Sequence, residues 1–291
     1  MKRRFIDMVQ PLLKWVGNKR KVAKQIISYF PEEFNDYYEP FVGSGAVLAE
    51  LMDEKVTSAL INFNGSYASD SNQYLIEIFN YVKNNPQKIV DYYRKNIEHY
   101  MDDKVNNYNV IRDRYNQNPN GLDFCLLSRT CYGGIIRFRK DGYMSTPVGP
   151  HKPISPDKFA QRVNVWHQLI ENTQFDVMDY KDAIARAKAG DVVYCDPPYT
   201  HSQGILYGAQ EFHIEELWDS IAAAKVRGAK VLLSINGKRK SNSEDISVTP
   251  PEGLFERILD VDVGVSMVDR LQNKGHHMTQ SRVTDRLMLT Y

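Results

Sequence analysis

The chain has 291 residues, of which 42% are hydrophobic, and balances 37 Lys and Arg against 36 Asp and Glu. That length suits one large domain or a core with an insert, and the composition is that of a folded protein rather than a disordered one. The net charge of +1 excludes a uniformly basic tail-type binder but leaves room for a local basic cleft, and no apolar run reaches the roughly 18 residues of a membrane span. The basic start Met1-Lys2-Arg3-Arg4 leads into no apolar signal core. Cys125, Cys131 and Cys195 contain no C-x-x-C pair, which argues against a disulfide framework or a structural zinc and for a reducing cytosol.

In chain order, residues 22–30 read as a helix with Val22, Ile26, Ile27 and Phe30 on one face. Residues 36–41 read as a short strand running into glycines, and residues 46–52 as the helix that follows. Residues 74–82 again have helical spacing. From about 84 to 120 the chain turns polar, with helical patches at Ile89-Val90-Tyr93 and Val105-Tyr108. A hairpin is expected around Lys140-Asp141-Gly142, because Asp-Gly suits a tight turn with positive φ. Val192 to Cys195, Lys230 to Ile235 and Leu287 to Tyr291 read as buried strands, with helix-like segments at 181–188 and 214–226. This alternation predicts an α/β fold: a mostly parallel sheet with helices on both faces. The polar stretch between about 80 and 160 reads as an insert.

Basic residues gather in four groups. Lys14, Lys19, Arg20, Lys21 and Lys24 belong to the first; Arg129, Arg137, Arg139, Lys140 and Lys152 form the second. Lys238, Arg239 and Lys240 form the third, and Arg270, Lys274, Arg282 and Arg286 the fourth. Trp15, Tyr132, Phe138 and Tyr143 lie among them, a combination that suits a nucleic-acid cleft. On charge alone, a solvated surface balanced by acids elsewhere is the simpler account.

Three segments carry chemistry. Glu39-Pro40-Phe41-Val42-Gly43-Ser44-Gly45 joins a strand to a helix, and glycines there let the backbone approach a ligand. Leu48 stands where a dinucleotide fingerprint would have its third glycine, so a plain turn stays open. Asp70, ahead of Asn72 and a helix, suits either a ribose-binding acid or a helix cap. Most specific is Val192-Val193-Tyr194-Cys195-Asp196-Pro197-Pro198-Tyr199. Two prolines end the strand sharply, at the place where open α/β sheets bind ligands. The Asp196 carboxylate, carbonyls left free to accept, and the flat ring of Tyr199 suit a base with an exocyclic amine; a rigid turn is the alternative.

Leu13-Lys14-Trp15-Val16-Gly17-Asn18-Lys19, Glu39 to Gly45, Ser69-Asp70-Ser71-Asn72 and Asp196 to Tyr199 stand in the order of the alpha-group, Dam-type DNA adenine-N6 methyltransferases, which the chain resembles from about residue 12 to its last strand. The resemblance implies a Rossmann-like S-adenosylmethionine-dependent methyltransferase fold. It divides the chain into a catalytic domain, residues 1–82 and 160–291, and an inserted, mostly helical target-recognition domain, residues 83–159, carrying a β-hairpin. It further implies a cytoplasmic, monomeric enzyme that moves a methyl group from S-adenosylmethionine to N6 of an adenine flipped out of a short site in double-stranded DNA. Such enzymes act beside a cognate restriction endonuclease or alone.

By the same resemblance, Trp15, Lys19, Glu39, Phe41, Gly43, Gly45, Asp70 and Asp196 hold the cofactor. Asp196, Pro197, Pro198 and Tyr199 receive the target base, and Lys14, Tyr132, Arg137, Arg139 and Pro147 meet the DNA. Tyr132 would be the intercalating ring and Arg137 the reader of a guanine edge. No metal, covalent nucleophile or dedicated catalytic base is implied. The chain departs from the family at Gly133, where Asn is common, and in the longer run from Thr57 to Tyr67. The loop from Thr200 to Phe212, with Tyr207, is either a cover over the bound base or an ordinary surface loop. Rival readings are an RNA adenine or cytosine-amine methyltransferase, a DNA-binding protein of the same fold without catalysis, and a nicotinamide dehydrogenase.

Overall fold

A computed structural model describes residues 8–58, 61–198, 212–239, 249–265 and 282–291. Seven strands form one sheet in the order β3-β2-β1-β4-β5-β7-β6. They are β1 (Tyr37–Glu39), β2 (Ser66–Asp70), β3 (Thr173–Val177), β4 (Val192–Cys195), β5 (Lys230–Arg239), β6 (Arg257–Val265) and β7 (Arg282–Leu289). The first five run parallel; β7 is antiparallel to both β5 and β6. The strand order reverses between β1 and β4, which are paired through Tyr37 with Val192 and Tyr38 with Val193. A crevice beyond the carboxyl ends of these two strands is the expected ligand site.

Alternation along the strands divides the core. Tyr37, Ala68, Phe175, Val192, Tyr194 and Leu232 pack on one face, with α1 (Ala23–Ile27), α2 (Ala46–Thr57), α3 (Gln73–Asn84) and α7 (Pro156–Ile170). Tyr38, Val193, Cys195, Val231 and Leu233 pack on the other, with α8 (Tyr180–Ala185) and α9 (Ile214–Val226). Both faces are covered, so the central strands read as continuous apolar runs.

Between β2 and β3 the chain is helical: α3 is followed by α4 (Pro86–Ile97), α5 (Lys104–Gln117), α6 (Gly121–Thr130), a short 3-10 turn at Tyr132–Gly134, and then α7. Asn85, Asp103, Asn120 and Ser155 cap α4, α5, α6 and α7 by accepting from backbone N–H groups, which is why a polar sequence breaks into discrete helices here. Residue 160 falls inside α7, whose Trp166 is fully buried against Phe79 of α3. The expected turn is present, with Gly142 at φ 80°. Its arms form isolated bridges, Phe138 with Met144 and Cys131 with Val148, and not a continuous ladder; Arg139 N donates to the Tyr143 carbonyl and Ser145 N to the Arg137 carbonyl across the turn.

The helix expected over 22–30 is confined to Ala23–Ile27. The strand expected over 287–291 runs instead from Arg282 to Leu289. No helix among the described residues is long and apolar enough to cross a membrane.

Candidate active site

The turn after β1 is shaped by its glycines. Gly43 has φ 47° and Gly45, which precedes α2, has φ 65°, a region that favours glycine. A Cβ on Gly43 would lie 3.0 Å from the Trp15 indole nitrogen. The close approach of the first motif to the glycine loop therefore depends on that missing side chain. Gly45 faces inward instead: a Cβ there would meet Trp166 at 3.1 Å and Phe79 at 3.3 Å. Gly43 lines the cavity described below, and Gly45 is not among its lining residues.

Asp70 ends β2 and its carboxylate bridges two backbones, accepting from Gly43 N at 3.1 Å and Asn72 N at 3.0 Å. The helix cap is Asn72, which accepts from Tyr74 and Leu75. Of the two readings open for Asp70, the cap belongs to its neighbour. Burial pushes the Asp70 carboxyl up to about 6, against the pull of the two N–H donors.

A cavity of about 300 Å³ opens at the reversal point of the sheet, a size suited to a small cofactor. Trp15, Lys19, Glu39, Phe41, Gly43, Asp70, Asp196, Pro197 and Pro198 all line it, so residues far apart in the sequence meet in one place. Tyr199 and Tyr207 lie outside the described residues, as do Lys240, Arg270 and Lys274.

Among the lining residues, Asp179 and Tyr180 carried no signal in the sequence, and Phe212 was marked only as the end of a loop. The Phe41 and Tyr180 rings stack with centroids 5.0 Å apart, and Phe212 lies edge-on to Phe41 at 6.1 Å and tilted against Tyr180 at 5.7 Å. Asp179 follows β3 and caps α8 by accepting from Lys181 N at 2.8 Å. A carboxylate beside three aromatic rings suits a flat, amine-bearing base.

The charged end of the cavity is built around Lys19. Its Nζ lies 3.0 Å from Asp196 Oδ1 and 3.0 Å from Asp285 Oδ2, with all three side chains largely buried. Asp285 comes from β7 and carried no signal of its own in the sequence. Glu39 is buried beside them and accepts from the Tyr37 hydroxyl at 2.7 Å. Burial pushes its carboxyl up to about 8, and the nearby Asp196 charge adds to this. Cys195 is buried, and desolvation raises its thiol far above the ordinary range, so it is core rather than nucleophile.

The first motif is held in place by carbonyl contacts. Arg20, Trp166, Arg162 and Arg129 donate to the backbone oxygens of Val9, Gln10, Pro11 and Leu12, respectively. Arg129, grouped by sequence with the surface cations, is therefore a correction: it is buried and serves the fold.

Among the residues expected at DNA, Tyr132 is 43% exposed, and Arg137 and Arg139 are exposed. Tyr132 N donates to the Pro147 carbonyl at 2.8 Å, which fixes the base of the hairpin. Arg139 pairs with Asp141 at 2.7 Å and lies over the Tyr143 ring. Lys14 is half-buried, and desolvation together with the Arg129 charge lowers its ammonium.

A doubly wound sheet with a glycine turn after β1, an acid ending β2 and Asp-Pro-Pro after β4 is the Rossmann-like arrangement of S-adenosylmethionine-dependent methyltransferases. The chain belongs to the D12 class N6 adenine-specific DNA methyltransferases, whose family model matches residues 15–262. The Type II methyltransferase M.MjaIII of Methanocaldococcus jannaschii is 30% identical over 253 residues, covering 78% of this chain and 84% of that protein. The DNA adenine methylase of Vibrio cholerae serotype O1 is 28% identical over 242 residues, 76% of this chain and 79% of that one.

Proposed function

We propose that the cavity binds S-adenosylmethionine and that Asp196 presents the N6 amine of an adenine flipped out of a short duplex site. The observation that carries this reading is the position of Asp196: at the carboxyl end of β4, on the cavity wall, in front of two prolines and ion-paired to Lys19. The residues fit the group that the family implies. Asp70 offers a carboxylate to a ribose hydroxyl. The Phe41, Tyr180 and Phe212 rings offer faces and edges to a purine, with Asp179 as acceptor for its amine. Trp15 offers an aromatic face to a sulfonium. When bound, the cofactor supplies an electrophilic methyl group.

The chain's own residues then position the acceptor. Asp196 and the Pro197 carbonyl accept from the adenine amine and turn its lone pair toward the methyl. Pro197 and Pro198 donate no N–H that would compete for those acceptors. Methyl transfer in line requires alignment above all, and alignment is what a rigid turn at a strand end provides. An amine inside the stack cannot reach such a cavity, so the base must leave the duplex.

We assign residues 83–159 to target recognition, with Tyr132 as the ring inserted into the duplex, Arg137 reading a guanine, and Lys14, Arg139 and Pro147 completing the contact. The exposure of Tyr132 and Arg137 on one short hairpin supports this. Relatives carry both the name type II methyltransferase and the name DNA adenine methylase. A cognate endonuclease encoded beside this chain would mark it as the protective half of a restriction–modification pair; without one, a solitary role follows. The test of the reading is Asp196→Ala assayed side by side for duplex binding and methyl transfer: loss of transfer with duplex binding largely spared is expected, and near-normal turnover would overturn it.

A further inference from the structure

Arg137 is exposed on a hairpin arm that is only partly laddered to its partner. Its carbonyl accepts from Ser145 N at 3.0 Å, as in an antiparallel pair. In a continued ladder its own N–H would return to the Ser145 carbonyl. It donates instead to Thr146 Oγ1, at 2.9 Å, and that hydroxyl donates in turn to the Ile135 carbonyl at 2.8 Å. A hydroxyl has a proton to give and lone pairs that accept, so Thr146 spans both ends of the segment from Ile135 to Arg137.

The returning arm is itself anchored to α5. The hydroxyl of Tyr108, a fully buried residue, donates to the Thr146 carbonyl at 2.7 Å. Asn116 pairs twice with the Met144 backbone: its Oδ1 accepts from Met144 N at 2.7 Å, and its Nδ2 donates to the Met144 carbonyl at 3.1 Å. Hydrogen bonds thus run from α5 through Thr146 to the backbone of Arg137. A bidentate contact with a base edge demands one distance and one angle, which a long side chain meets only from a fixed backbone.

We propose that Thr146 is a positioning residue for target recognition: its hydroxyl, anchored to α5, holds the Arg137 backbone so that the guanidinium meets one base edge in one geometry. The inference rests on the assignment of Arg137 to a guanine. Thr146 is 4% exposed, so it acts through Arg137 and not on the DNA. Without the hydroxyl the Arg137 backbone can shift while its charge stays on the hairpin. Selection at one base pair is then lost, and the attraction of the hairpin for DNA is kept. A contribution of Thr146 to folding alone would instead lower methylation of every sequence alike.

The experiment is methylation of a library of duplex sites by the full chain, read as the rate for each base at each position of the motif. Thr146→Val keeps the side-chain shape and removes the hydroxyl. It should relax selection by about ten-fold at the same base pair that Arg137→Ala relaxes, with the other positions unchanged. Thr146→Ser keeps the hydroxyl and should retain selection. Tyr108→Phe removes the anchor on the Thr146 carbonyl and should relax the same pair to a smaller extent; if Thr146→Val does not fold, this variant decides, and unchanged selection in it overturns the proposal. An even loss of methylation in Thr146→Val with selection intact, relaxation at a different pair, or a Thr146→Ser variant no more selective than Thr146→Val overturns the proposal while the reading of Arg137 stands. An Arg137→Ala variant that loses activity evenly over all sequences overturns both.

Discussion

Gly134 lies so close to Lys14 that a Cβ on the glycine would sit 2.7 Å from the Lys14 Cβ, and its φ of 67° already favours glycine. Lys14 is followed in the chain by Trp15, which lines the cavity. The start of the hairpin and the wall of the cavity are thus joined through two consecutive residues.

That contact is testable against a control. Gly134→Ala should cost more stability than Gly142→Ala, whose φ is 80° but whose added Cβ meets open space. The backbone term of about 1–2 kcal/mol is common to both; the steric term belongs to Gly134 alone. Chemical denaturation measures the difference, and duplex affinity should fall for Gly134→Ala only.

Asp196→Ala removes the acceptor proposed for the adenine amine. Transfer should fall by at least about 100-fold, the order expected when alignment at the reacting atoms is lost. Binding of duplex DNA should remain close to normal in a filter or anisotropy assay. Parallel loss of both would assign Asp196 to the fold instead.

Arg137→Ala should weaken DNA binding by about 1–3 kcal/mol and relax selection at one base pair. Methylation across a library of sites reads this directly. A uniform loss over all sequences would identify Arg137 as a phosphate contact.

Glu39 gives the pH dependence. Its carboxyl, near 4.5 when unperturbed, is raised to about 8 in the folded chain, chiefly by burial. The folded state therefore favours the protonated form. The stability this contributes is complete below about pH 4.5 and is lost as pH rises through 8, a total on the order of 5 kcal/mol. Urea denaturation at pH 5 to 8 should show the decline in the unaltered chain and a flatter profile in Glu39→Gln.

The sequence announced some of this architecture and concealed the rest for physical reasons. β4 and α9 match their expected limits because Val192 to Cys195 is an unbroken apolar run ended by prolines, and 214–226 keeps a clear helical face. β3, Thr-Gln-Phe-Asp-Val, and β6, Arg-Ile-Leu-Asp-Val-Asp-Val-Gly-Val, are the two edge strands and mix polar with apolar residues, so no apolar run marks them. α6 is buried along its whole length although it carries Asp123, Ser128, Arg129 and Thr130, so its polar and apolar residues do not sort onto a solvent face and a core face, and the periodicity that identifies an amphipathic helix is lost. In the site, Trp15, Lys19, Asp70 and Asp196 were legible through their motifs. Asp285, Asp179, Tyr180 and Phe212 were not, because each joins the cavity or its charged end only when separate strands and helices come together. Arg129 was misplaced for the converse reason: a cation in a basic run gives no local sign that three-dimensional packing will bury it under a neighbouring carbonyl.

The central claim is methylation of adenine N6 in duplex DNA, and its most direct test is transfer from labelled S-adenosylmethionine to mixed duplex DNA, with single-molecule sequencing of the modified bases. The account predicts N6-methyladenine confined to one short motif. Label in RNA alone, or methyl groups on cytosine in place of adenine, would contradict it.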